Sequence, residues 1–119
     1  MTALAAPAAS ADDARARVRA LNDQLRRHGT GGTWLVTSGV EALGFHALLA
    51  IAEAVANFDA FRPDNDPHGL HDFGAVEAAG RVVFFKIEAY DRDLRWASPD
   101  PIDPSVTCRI MTLMLPEEY

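Results

Sequence analysis

The chain has 119 residues, 49% of them apolar, and a formal net charge of −6. That length suits one globular domain with its own core and excludes two; no apolar run approaches the ~20 residues that cross a bilayer. The acidic balance works against binding of duplex nucleic acid, and the lone cysteine, Cys108, leaves neither an internal disulfide nor a cysteine zinc site, which suits the reducing cytoplasm of a bacterial type of cell.

Residues 1–9 are small, alanine-rich and without a basic residue, so they read as a flexible tail rather than an export signal, with the folded domain over 10–119. Ser10 followed by Asp13 fits a helix cap, after which Ala14, Val18, Leu21 and Leu25 recur at helical spacing until His28-Gly29 ends the run. Arg15, Arg19 and Arg26 fall off that stripe and read as a solvated basic ridge. Thr30-Gly31-Gly32 is a turn, and without a following Lys-Ser/Thr it is not a phosphate loop. A short strand is expected over 33–37. Ser38 then reads as an N-cap with Glu41 three residues on, opening a helix over 40–58 that is interrupted near Gly44 and carries Leu48, Ile51, Val55 and Phe58 on one stripe.

The run from Leu70 to Tyr90 reads as a β-hairpin, with strands over 70–77 and 81–90 joined by a three-residue turn, Ala78-Ala79-Gly80. Alternation puts Val83, Phe85, Ile87 and Ala89 on a covered face, and Val82, Phe84, Lys86, Glu88 and Tyr90 on a face open to solvent or a partner. A second polar loop over 91–104 carries three prolines, which exclude helix and central strand. The last strand, over 106–115, is apolar on both faces apart from Thr107, Arg109 and Thr112, which places it inside the sheet. The fold class expected is α+β: a single domain with a largely antiparallel sheet of about four strands and two helices packed on one face.

Chemistry concentrates in the loop between the second helix and the hairpin. Asp64-Asn65-Asp66-Pro67-His68-Gly69 resembles the opening of a calcium loop, but His68 and Ala75 stand where its later oxygen ligands belong. Asp64, Asp66, His71 and Asp72 supply a ligand set suited to zinc or manganese. The same residue types tie turns to their own backbone, and that structural reading stands beside the metal one. Cys108, mid-strand, reads as a small buried hydrophobe, and no Gly-x-Ser-x-Gly elbow occurs.

Several strings together resemble the bacterial family catalogued as domain of unknown function 3768. They are Phe58-Asp59-Ala60-Phe61, Asp64-Asn65-Asp66-Pro67-His68-Gly69-Leu70-His71-Asp72-Phe73-Gly74, Phe85-Lys86-Ile87-Glu88-Ala89-Tyr90-Asp91, Ser98-Pro99-Asp100-Pro101-Ile102-Asp103-Pro104, the last strand and the closing Glu118-Tyr119. The resemblance runs from about Leu21 to Tyr119. It implies a small single-domain protein carried on plasmids and other mobile elements, with no catalytic residues to transfer; the aromatic commonly found at the position of His68 weakens that residue as a ligand.

Three functions fit. The first is a non-enzymatic, cofactor-free interaction module of a mobile element, a regulator or inhibitor of a host defence protein. It would bind a basic protein surface through Asp64, Asp66, Asp72, Asp91, Asp93, Trp96 and Asp100. The second is a small hydrolase using a divalent metal on Asp64, Asp66, His71 and Asp72, assisted by Lys86 or Arg109. The third is a homodimeric accessory protein using the Phe84/Tyr90 strand face. The first is preferred, with the enzyme reading left open.

Overall fold

The computed structural model describes residues 10–119, so the expected N-terminal tail lies outside the described residues. Helix α1, Ala11–His28, starts where Ser10 accepts the Asp13 N–H at 3.1 Å and stops at Gly29, whose left-handed φ of 70° turns the backbone out of the helix. Asp12 and Asp13 sit in its first turn and Arg26, Arg27 and His28 in its last, which complements the helix dipole. Strand β1, Thr33–Val36, follows. Thr37, not Ser38, then caps the short helix α2, Ser38–Glu41, because its hydroxyl accepts from Val40 N. The interruption expected at Gly44 is present, with φ at 93°, and α3 runs Phe45–Asn57.

The sheet is completed by β2, Phe73–Ala78, β3, Arg81–Tyr90, and β4, Cys108–Met114, in the order β1-β4-β3-β2. Both β2–β3 and β3–β4 are antiparallel, while β1 runs parallel to β4. The domain is therefore α+β with a mostly antiparallel four-stranded sheet. Pairing continues to Ala78 and Arg81, so the hairpin turn has two residues, Ala79 and Gly80, both at positive φ, instead of three. The first hairpin strand begins at Phe73 rather than Leu70, since residues 70–72 are committed to contacts with α1 described below. Likewise Pro104–Val106 forms a 3₁₀ turn, capped by Asp103, that delays β4 to Cys108.

Alternation on β3 works as expected: Val83, Phe85 and Ile87 are buried with Met111 and Leu113 of β4, Leu25 of α1 and Ile51 and Val55 of α3. Burying side chains of this size contributes about 1.5–3 kcal/mol each. Gly74 is required on β2 because a Cβ there would run into the Phe85 ring. The opposite sheet face carries Phe73 and Phe84, tilted against each other and each edge-on to Tyr119, with Lys86 paired to Glu88 at 2.7 Å and lying over the Tyr119 ring. Among the described residues no helix is long and apolar enough to cross a membrane.

Candidate functional site

The loop joining α3 to β2 is a strap laid across α1. Asn65 ties its first turn, accepting from Arg62 N at 2.7 Å and donating to Ala60 O at 2.9 Å. Asp66 ties the second, accepting from Leu70 N at 3.1 Å and His71 N at 3.2 Å. From the other side, α1 reaches into the strap: Arg19 donates to Gly69 O at 3.0 Å, and Asn22 donates to Leu70 O at 2.9 Å. His71 sits at a left-handed φ of 54°, stacked flat on Phe61 with ring centroids 3.8 Å apart, and its Nδ1 meets Asp23 Oδ1 at 2.9 Å. Four α1 residues thus face the strap or what lies behind it, one helical turn after another.

The fourth of these overturns the expected basic ridge. Arg26 is fully buried, donating to Val55 O at 2.9 Å, Phe58 O at 2.6 Å and Asp23 Oδ1 at 2.7 Å. Its guanidinium closes the carbonyl end of α3 and lies over the Phe61 and Phe85 rings. Of the other two ridge arginines, Arg19 is occupied by the strap and only Arg15 remains largely at the surface, paired to Asp12 at 3.0 Å. Burial pushes the Asp23 carboxyl up, but hydrogen bonds from Arg26 and then His71 outweigh it and hold the group below its ordinary value.

The residues suggested as a metal set are dispersed by this arrangement. Asp66 is 6% exposed in its side chain, with Oδ2 at 3.7 Å from His71 Nε2. Asp64 points outward and pairs with Arg62 at 3.2 Å, and Asp72, at the strap's end, lines a separate cavity. Among the described residues no three His, Cys, Asp or Glu side chains are grouped to hold a metal ion. Burial raises the Asp72 carboxyl, with the Asp66 charge adding to it.

The second acidic loop is also largely tied to itself. Asp91 Oδ1 accepts from Arg95 N at 3.0 Å, Asp100 Oδ1 from Ile102 N at 3.2 Å, and Asp103 Oδ1 from both the Ser105 N–H and its hydroxyl. Asp93 stays exposed. The tip is closed by Asp91 N to Trp96 O at 2.8 Å and by a bridge between Tyr90 and Ala97, with Leu94 at a φ of 59°. This short closure leaves Trp96 75% exposed and Leu94 exposed beside it. The loop borders a groove of about 670 Å³ at the β1 edge, where Leu94 joins Leu35, Cys108 and Ile110. Cys108 is half-buried there rather than a core residue.

Of the residues suggested for a partner surface, the fold keeps Asp64, Asp93, Asp100 and Trp96 exposed, takes Asp66 inside, and leaves Asp72 and Asp91 half-buried. Asp23, Asn22 and Arg26 were not legible as site residues, since in a helical pattern they occupy the polar flank; the one signal was that the loop's own carboxylates and histidines required partners from elsewhere.

No curated protein and no solved structure matches this sequence. One family model does, over residues 36–118, and its span takes in the strap, the Trp96 loop and the closing Glu118, which clamps Thr37 Oγ1 at 2.6 Å and Gly39 N at 3.1 Å. The chain belongs to the family described as protein of unknown function (DUF3768).

Proposed function

We propose that the protein is a non-enzymatic, cofactor-free interaction module whose contact surface is centred on Trp96. The observation that carries this reading is the exposed indole on a loop closed by its own hydrogen bonds. An indole held outward by a loop closed on itself is a preorganised anchor, and tryptophan is among the residues most enriched in binding hot spots. Leu94 and the groove lined by Leu35 and Ile110 extend the apolar patch, and the exposed charges of the loop are mixed, Asp93 and Asp100 with Arg92 and Arg95. A net charge of −6 favours a partner with a basic surface. The setting that the family resemblance suggests is a bacterial mobile element, with a host defence protein as the regulated or inhibited partner in the cytoplasm.

Tagged protein incubated with host extract tests this. Wild type is expected to retain a basic protein whose recovery falls as salt rises, and Trp96→Ala to weaken it by at least about 30-fold, the ~2 kcal/mol of a hot-spot aromatic. Retention that is equal for wild type and Trp96→Ala, or indifferent to salt, overturns the reading.

A further inference from the structure

Between α1 and the sheet, bordered by the end of the strap at Leu70 and Asp72, lies a cavity of about 410 Å³. Strand register builds it. Ile87 and Ala89 of β3 make its floor; Arg109 of β4 stands opposite Ala89, and Asp72, whose carbonyl accepts from Ile87 N, stands on the β2 side. Val18 of α1 covers it and Ile102 closes one end. The walls are chiefly apolar, but four charged residues share the lining: Arg109 and Arg15, and the carboxylates Asp72 and Asp100.

Arg109 is 4% exposed. Its Nε donates to Asn22 Oδ1 at 2.8 Å and its Nη2 to Pro101 O at 2.6 Å, both neutral acceptors. Among the described residues Nη1 has no acceptor, and no carboxylate lies within ion-pair distance of the guanidinium, in contrast to Arg26, which has Asp23. Burial without a counterion lowers the Arg109 pKa from its ordinary value. Taking such a charge out of water costs several kcal/mol, and neutral oxygens offset only part of that. A carboxylate offsets more, and the planar guanidinium still offers Nη1 and the second N–H of Nη2 to one.

We propose that this cavity binds a small monocarboxylate with an aliphatic or aromatic body, its carboxylate on Arg109 and its body across Ile87 and Ala89. Asp72 and Asp100 set the selectivity against a second negative charge, since the other lining cation, Arg15, is already paired with Asp12 at 3.0 Å. The volume falls at the lower end of ordinary small-molecule sites, about 300–1,000 Å³. The cavity adjoins the groove beside Leu94, Arg109 lining both, but binding of a carboxylate here requires no partner on Trp96.

The test is titration of the full-length protein with hexanoate, hexanamide and adipate, followed by calorimetry and by amide shifts at Ile87 and Ala89. Hexanoate is expected to shift those amides and to bind at least about tenfold more tightly than hexanamide, with adipate weaker than hexanoate. Ala89→Phe, which fills the floor without removing an Arg109 hydrogen bond, is expected to abolish hexanoate binding. The proposal is overturned if acid and amide bind alike, if neither binds, or if a folded Ala89→Phe binds hexanoate as wild type does. The comparison of acid with amide uses the wild-type protein alone, so it decides even if that variant does not fold.

Discussion

Arg26 joins three parts of the fold through one side chain: the α3 carbonyls of Val55 and Phe58, Asp23 on its own helix, and, through Asp23, His71 of the strap. Removing it leaves the Val55 and Phe58 carbonyls without this donor and Asp23 with His71 alone. Arg26→Met is therefore expected to cost about 3–5 kcal/mol, the range for breaking a buried pair from one side, measured by denaturant unfolding. Arg26→Lys keeps the charge but not the fork, and should recover only part of the loss. Asp23 adds a pH dependence of known sign. Its folded pKa lies below the ordinary 3.8, so its contribution is fully present above pH 3.8 and is lost as pH falls through the lower folded value. Melting temperature measured against pH should drop across that acid window in wild type and drop less in Asp23→Asn. Asp72 has the opposite sign, its raised pKa making the folded state relatively more stable as the carboxyl protonates.

At the scale of elements, most boundaries were readable because they rest on local chemistry. Ser10 with Asp13, the glycines at 29 and 44, and the alternation along β3 specify their own conformations whatever the rest of the fold does. The misread boundaries each yield to a contact from far along the sequence. Residues 70–72 look like strand, but Asn22 and Asp23 hold Leu70 and His71 to α1, and pairing with β3 starts only at Phe73. The turn length at 78–80 also depends on register, which alternation alone does not fix. Ala79 occupies a left-handed position that costs an L-residue about 1–2 kcal/mol. Ala79→Asn, giving the Asn-Gly pair that such turns prefer, is expected to raise stability by up to about 1 kcal/mol in thermal unfolding. An unchanged or lower melting temperature would argue against the two-residue turn.

For the whole molecule, the turn-tying use of Asn65 and Asp66 is legible in the sequence, while the strap's attachment to α1 through Arg19, Asn22 and Asp23 is not. Acidic and imidazole side chains in the strap look available for metals or partners, yet Asn65, Asp66 and His71 are occupied in holding the strap to itself and to α1. Arginines on a polar helix flank look like surface charge, and one of them is at the centre of the fold. Among the described residues this bonding leaves over an exposed tryptophan on one loop, and, in a cavity under α1, a buried guanidinium with no carboxylate within ion-pair distance. Long-range pairing of a helix with a loop some 48 residues away has no periodic signature in a sequence, which is why the strap's role emerges only in three dimensions.

The division between a structural strap and a separate binding surface is tested most directly by the melting temperature of Asp66→Ala set beside that of Trp96→Ala. Loss of the Asp66 carboxylate leaves the Leu70 and His71 amides without their acceptor, so Asp66→Ala should lose about 1–3 kcal/mol. Trp96→Ala should melt within about 0.5 kcal/mol of wild type, as an exposed residue does. Melting of Asp66→Ala at the wild-type temperature, with Trp96→Ala strongly destabilised, would contradict the account.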